Sequence, residues 1–122
     1  MESEPCTRLG VVDCGTNTFT LHIADARDGA WETVFRQHRF VRLGLDSFRS
    51  GRLSPQRVRR GLDVLEAFAD TAKNYSVDRV RAFGCSALRD ASNGPQFVAA
   101  AAHRGWHIEV VDGQAEAEWI HL

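Results

Sequence analysis

Leu9-Gly10-Val11-Val12-Asp13-Cys14-Gly15-Thr16-Asn17-Thr18 is the stretch on which the reading of this chain turns. Leu9 to Asp13 has the character of a short strand buried on both faces, and Phe19 to Asp25 alternates apolar and polar residues with the period of a half-buried strand. Between them lies a tight hairpin turn. Gly15, without a Cβ, lets the backbone come close to a ligand. Thr16, Asn17 and Thr18 crowd hydroxyl, amide and backbone N–H donors into one short arc, which suits phosphate oxygens. Asp13 would repel a phosphate directly, so it belongs beside one only with a hard cation such as Mg²⁺ between them. A plain hairpin turn with solvated threonines accounts for the same residues. From the residues alone both readings stand.

Outward from this loop, Arg27-Asp28-Gly29 signals a turn, and Trp31 to Phe35 resumes as a third strand. Phe40 to Leu53 reads as a loop. Ser54-Pro55 opens a helix, with Ser as N-cap and Pro at the first helical position. Val58, Leu62, Leu65, Ala69 and Ala72 give it one apolar face, running to about Asn74. Arg57, Arg60, Asp63, Glu66 and Asp70 read as its solvated side. Val77 to Gly84 is a fourth strand, Gly94-Pro95 starts a second helix, Gly105 closes it, and Trp106 to Val111 is a fifth strand. A third helix begins at Gln114. This order fits an α/β domain with a mixed five-stranded sheet and flanking helices.

Composition narrows the class. A chain of 122 residues with 43% apolar content can build one core. With 15 basic and 16 acidic residues, its overall balance marks neither a nucleic-acid binder nor a membrane-surface protein. No apolar run approaches a membrane span, and Met1-Glu2-Ser3-Glu4 lacks the basic and apolar regions of a secretory signal. Cys6, Cys14 and Cys85 are odd in number and not spaced as metal ligands. Reduced thiols and cytoplasmic residence are the expectation. Cys14 and Cys85 read as packing residues, as do Trp31, Trp106 and Trp119. His22, His38, His103, His107 and His121 form no ligand cluster.

Two further segments follow strand ends, where open α/β sheets place ligands. Ser86-Ala87-Leu88-Arg89-Asp90-Ala91-Ser92-Asn93 comes after the fourth strand, and Val111-Asp112-Gly113-Gln114-Ala115-Glu116-Ala117 after the fifth. These segments, the Asp13–Thr18 loop, Val41-Arg42-Leu43-Gly44 and Ser50-Gly51-Arg52-Leu53-Ser54-Pro55 together resemble the amino-terminal part of the Ppx/GppA family of exopolyphosphatases and guanosine pentaphosphate phosphatases. The resemblance runs from about Leu9 to Leu122. It implies a ribonuclease H-like, actin-like ATPase-superfamily lobe, with residues 1–7 a flexible N-terminus and 8–122 the phosphatase domain.

The resemblance also implies roles. Gly15, Thr16, Asn17, Thr18 and Arg89 would bind phosphate, Asp13 would help hold Mg²⁺ or Mn²⁺, and Glu116 would be the general base. From the residues alone, Arg89 reads equally as a salt-bridge partner of Asp90, and Glu116 as a favourable charge at a helix start. Ala115 stands where the family commonly has Glu, and Glu118 where it has Arg. The family's second phosphate loop, of Asp-x-Gly-Gly-Gly-Ser type, is expected beyond Leu122, so these 122 residues would carry half of a cleft. The implied substrate is inorganic polyphosphate, with guanosine pentaphosphate as the alternative and a homodimer expected of the full-length form; no nucleic acid or membrane is expected to bind. An ATP-using kinase lobe shares the Asp-x-Gly-Thr loop, but Ser-Ala-Leu-Arg-Asp and Glu116 speak against it. A non-catalytic phosphate-binding or interaction domain is the remaining alternative.

Overall fold

The computed structural model describes residues 6–45 and 47–111. Strands β1 (Thr7–Cys14), β2 (Thr18–Arg27) and β3 (Ala30–Phe40) come first. A one-turn helix α1 (Ser47–Ser50) and the long α2 (Pro55–Asn74) follow. Then come β4 (Arg79–Gly84), the short α3 (Ser86–Asp90), α4 (Gly94–Ala102) and β5 (Ile108–Val110). The sheet has the order β3-β2-β1-β4-β5. Its first three strands form an antiparallel meander, and β4 and β5 add to β1 in parallel. This is the mixed five-stranded sheet expected from the sequence. The expected third helix from Gln114 lies outside the described residues.

Local chemistry explains most of these boundaries. Asp28 and Gly29 both take positive φ (54° and 76°) in the two-residue turn joining β2 and β3, the geometry that matches strand twist. Ser54 accepts a hydrogen bond from the Arg57 N–H at 3.3 Å and caps α2, with Pro55 at its start. Gly105 takes φ +94° just after α4.

Several expectations need correction. Strand β3 runs on to Phe40, well past Phe35. Its second half alternates poorly because it is a sheet edge, paired on one side only and held by its ladder to β2. The stretch read as a loop, Phe40 to Leu53, contains α1. The buried residues of α2 are Gly61, Val64, Leu65, Phe68 and Ala72, while Val58, Leu62 and Ala69 are only partly buried. Gly61 lies on that buried face: a Cβ there would lie 3.0 Å from the Phe97 ring, so the bare backbone lets α4 approach.

The core lies on one face of the sheet. Val12, Cys14, Phe19, Leu21 and Ile23 from the strands meet Leu65 and Phe68 of α2 and Phe97 of α4. Trp106, expected within the last strand, instead precedes it. The indole is buried, and its Nε1–H donates to the Leu65 carbonyl at 2.9 Å, tying α2 to the approach to β5. Cys14 and Cys85 are buried, as read, and Cys6 is half-exposed. Trp31 is not core: it is 57% exposed on the opposite, uncovered sheet face. Trp119 lies outside the described residues.

The edge of the domain away from the hairpin loop is fixed by one polar cluster. Arg8 grips the Asp25 carboxylate through Nε at 2.7 Å and Nη2 at 3.1 Å, and donates to the Tyr75 carbonyl through Nη1. The Asp25 carboxyl is held below its usual range by that hydrogen bond.

Candidate phosphate site

The loop between β1 and β2 is a tight turn closed by its own backbone. The Gly15 N–H donates to the Thr18 carbonyl at 3.1 Å. A Cβ on Gly15 would lie 2.8 Å from that same oxygen, so the turn itself demands glycine before any ligand is considered. Thr16 and Asn17 project at the tip and are exposed, and Thr18 is half-buried at the start of β2. The carbonyls of Thr16 and Asn17 point back into the protein. Asn17 O accepts from Val41 N–H (2.9 Å) and Arg42 N–H (2.8 Å), and Thr16 O accepts from Gly44 N–H (3.1 Å). Among the described residues the N–H groups of these two donate no backbone hydrogen bond. Carbonyls bound inward and donors left outward are what an anion loop requires.

Segment 41–44 therefore braces the loop, a task that its residues alone do not disclose. Arg42 takes a positive φ of 55°, uncommon for a residue with a side chain. Gly44 packs so closely that a Cβ would run into the Thr16 methyl, with the Ala87 Cβ 3.7 Å away. Ala87 belongs to α3, so this one glycine meets both the hairpin loop and the Ser-Ala-Leu-Arg-Asp segment. Below them the Cys85 N–H donates to the Cys14 carbonyl, joining the ends of β1 and β4. Asn93 closes the other side, with Oδ1 accepting from Leu53 N–H (2.7 Å) and Nδ2 donating to Leu53 O (2.9 Å). Three chain segments distant in sequence thus meet beyond the same ends of β1 and β4.

Asp13 is the last-but-one residue of β1 and faces the uncovered side of the sheet. It lines a groove of about 700 Å³ with Thr20, His22, Arg36 and Arg81. Its Oδ1 is buried and has no hydrogen-bond partner among the described residues, and burial raises the carboxyl above its ordinary value. An acceptor left this way is costly in the bare protein. Mg²⁺ commonly takes one or two carboxylates together with substrate phosphates and waters, so a single unpartnered carboxylate oxygen beside a phosphate-type loop fits it. No cluster of three or more metal-binding side chains occurs among the described residues. The neighbouring Cys14 thiol is pushed well up, chiefly by complete burial and then by the Asp13 charge. That makes it inert as a nucleophile.

Arg89 sits on α3 with its side chain about half exposed, and its Nε lies 3.4 Å from Asp90 Oδ1. The pairing weighed from sequence is therefore present, but an exposed pair of this length is weak and leaves most of the guanidinium free for an anion. The structure brings Gly15, Thr16, Asn17, Thr18, Asp13 and the Arg89 segment to one end of the sheet. Glu116 lies outside the described residues.

A mixed 3-2-1-4-5 sheet with a hydroxyl-rich hairpin loop beyond two parallel strand ends defines a ribonuclease H-like, actin-like lobe. Solved structures agree. The chain resembles the Ppx/GppA family member of Aquifex aeolicus with a TM-score of 0.88 at 27% identity, over 92% of this chain and 37% of that one. It resembles an exopolyphosphatase of Cytophaga hutchinsonii with a TM-score of 0.86 at 34% identity, over 92% and 36%. The pattern of the Ppx/GppA phosphatase family matches residues 22–122, and the chain belongs to that family. Among curated relatives, exopolyphosphatase 2 of Mycobacterium tuberculosis is 36% identical over 92% of this chain. A guanosine-5'-triphosphate,3'-diphosphate pyrophosphatase of Photobacterium profundum is 32% identical over 99%. The chain spans 38% and 25% of those two proteins' lengths.

Proposed function

We propose that this chain is the phosphate-binding lobe of a phosphoanhydride hydrolase that releases orthophosphate from the end of inorganic polyphosphate. The observation that carries the reading is the meeting of the β1–β2 loop, segment 41–44 and α3 at one end of the sheet, in a member of this family. Thr16 and Asn17 offer outward N–H donors and side-chain donors to the terminal phosphates, and Thr18 adds a hydroxyl at the loop's base. Arg89 neutralises phosphate charge, its planar fork suited to two oxygens at once. Asp13 is the protein's ligand for Mg²⁺ or Mn²⁺, which when bound offsets charge on the transferred phosphoryl group. Glu116 takes the proton from the attacking water. We place the protein in the cytoplasm on the strength of its unpaired cysteines; among the described residues no helix is long and apolar enough to cross a membrane.

The relative named for guanosine-5'-triphosphate,3'-diphosphate supports a second reading, in which the same loop holds the 5'-phosphates of a guanosine nucleotide. The two readings share the loop and Arg89 and differ in what lies behind the terminal phosphates. The test is steady-state kinetics of a protein containing this lobe and its downstream partner lobe, with Glu116→Gln compared to wild type. Turnover on polyphosphate is expected to fall about 10²–10⁴-fold, the usual contribution of a positioned base, with affinity little changed and the acidic limb of the pH profile lost. A variant within a fewfold of wild type assigns Glu116 to helix-end electrostatics and overturns its role.

A further inference from the structure

Asn93 stands directly before α4, in the place of a helix N-cap, and asparagine is among the best residues for that task. Its side chain does not perform it: no cap hydrogen bond forms to the first turn of α4. Both ends of the amide reach instead to Leu53, forty residues away in sequence. Oδ1 accepts from the Leu53 N–H at 2.7 Å, and Nδ2 donates to the Leu53 carbonyl at 2.9 Å. The residue before adds a third bond, from the Ser92 N–H to the Gly51 carbonyl at 2.8 Å. Asn93 thus makes a two-point clasp between the end of the Ser-Ala-Leu-Arg-Asp segment and the backbone just before Ser54, the cap of α2.

Helix stability alone does not call for this arrangement. Capping α4 would satisfy one of its free N–H groups and stabilise it about as well as one bond to Leu53 does. The clasp does what a cap cannot: it fixes the distance between two segments. On one side is α3, five residues long and too short to hold its own shape. Its start is fastened by the Cys85 N–H on the Cys14 carbonyl and by the buried Leu88. Its end leads through Ala91 into the clasp, and Arg89 lies between. On the other side the backbone runs back to the hairpin loop in hydrogen-bonded steps. The Gly51 N–H donates to Ser47 O (2.8 Å), the Ser47 N–H to Gly44 O (3.1 Å) and the Gly44 N–H to Thr16 O. Segment 41–53 therefore touches the phosphate loop at one end and the exit of α3 at the other. Gly94 leaves no slack beyond the clasp, since a Cβ there would run into the Leu88 carbonyl.

We propose that Asn93 is a positioning residue for phosphate binding, whose clasp on Leu53 holds Arg89 at a fixed separation from Thr16 and Asn17. This rests on the reading above, in which Arg89 and the loop grip the same terminal phosphates. A planar fork that must meet two oxygens is sensitive to small displacements of the helix that carries it. The clasp needs a donor and an acceptor held apart on one side chain, which the amide supplies. Aspartate lacks the donor, and serine is too short to span both Leu53 groups, yet either would still cap α4. Those two replacements therefore separate the clasp from the cap.

The test uses a protein containing this lobe and its downstream partner lobe, and measures tripolyphosphate affinity with Mg²⁺ by calorimetry and Tm without ligand. Wild type, Asn93→Asp, Arg89→Ala and the double variant form one cycle. Asn93→Asp is expected to lower affinity about five- to tenfold at neutral pH, a part of the roughly 10- to 150-fold that one charge-assisted contact represents. The double variant should bind within about twofold of Arg89→Ala alone, because both changes remove the same contact. Additive losses, or a lower Tm with unchanged affinity, make Asn93 structural and overturn the proposal. A pH series adds an independent readout. The carboxyl introduced beside the Leu53 carbonyl regains an O–H donor when protonated, so the ratio of wild-type to Asn93→Asp affinity should close toward one as pH falls to about 4. A ratio that does not change with pH also overturns it. Should Asn93→Asp fail to fold, Asn93→Ser carries the same cycle with α4 still capped. Unchanged affinity in Arg89→Ala sinks the phosphate role of Arg89 and the positioning role with it. A weakened Arg89→Ala beside an unaffected Asn93→Asp overturns the positioning role alone.

Discussion

Replacing Asp13 with Asn should make the protein more stable and less able to respond to metal. Among the described residues Asp13 Oδ1 is buried without a hydrogen-bond partner, and burial raises its carboxyl above the ordinary value of 3.8. A buried acceptor left unsatisfied costs about 1–3 kcal/mol. The side chain as a whole is only half-buried, so about 1 kcal/mol is the reasonable share. Asn has nearly the same shape and leaves a neutral acceptor where the charged one stood, so the gain is the lower cost of burying an uncharged group. In a domain of this size the gain corresponds to about 4 °C in Tm. The sign with pH follows from linkage. Between 3.8 and the raised native value the folded state holds more protons than the unfolded one, so wild-type stability falls as pH rises through that window. The advantage of the Asp13→Asn variant should thus be full at neutral pH and vanish below 3.8, where the wild-type carboxyl is neutral in both states. Thermal denaturation across pH reads this directly. A second series, with Mg²⁺ and tripolyphosphate together, should raise the Tm of wild type by more than that of the variant. A variant less stable at neutral pH, or an advantage that does not change with pH, would refute the account of Asp13 as an unpartnered buried charge.

Other outcomes follow from single contacts. Arg89→Ala should weaken tripolyphosphate binding by an amount set by one charge-assisted contact, roughly 1.5–3 kcal/mol by calorimetry, with the circular dichroism spectrum unchanged; a lower Tm with unchanged affinity would make Arg89 structural. Gly44→Val drives side-chain carbon into the Thr16 methyl, and should cost about 1–3 kcal/mol of stability together with most of the phosphate affinity. Its diagnostic is that Gly29→Val, at a turn with nothing near its Cβ, leaves affinity intact even though its φ of +76° strains the backbone. Asp25→Asn removes a carboxylate that Arg8 holds below its usual range. The stability from that pair is present above 3.8 and is lost as pH falls through the depressed native value, so the Tm gap between variant and wild type should close over that acid range.

The strands and the loop between β1 and β2 were legible because local chemistry specifies them. An apolar run ending in Asp-x-Gly, a helix opened by Ser54-Pro55 and the Asp28-Gly29 turn each announce themselves within a few residues. The face of α2 was not legible in the same way. Gly61 carries no apolar signal of its own, yet it is buried and leaves the space that the Phe97 ring occupies. The length of β3 was missed because a sheet edge is held by backbone pairing to β2, which side-chain alternation does not record. Trp31 looked like core by its size alone, but its position is decided by which sheet face the helices cover. In the candidate site, Asp13, the loop and Arg89 could be read from their motifs. The bracing role of Arg42 and Gly44 could not, since it depends on carbonyls of Thr16 and Asn17 turning toward a segment on the far side of the β2–β3 hairpin.

The placement of the three thiols gives the molecule a built-in clock for movements beneath the candidate site. Cys14 is fully buried and Cys85 4% exposed, at the adjoining ends of β1 and β4, whereas Cys6 is half-exposed near the chain start. A thiol reagent meets Cys6 at once and the other two only when those strand ends part. The slow phase of labelling then measures the free energy of that opening, which is a local property distinct from global unfolding. Any ligand that braces Thr16 and Asn17 must slow that phase while leaving the fast one alone. A binding event with no chromophore becomes visible through the chemistry of two sulfur atoms that never touch it.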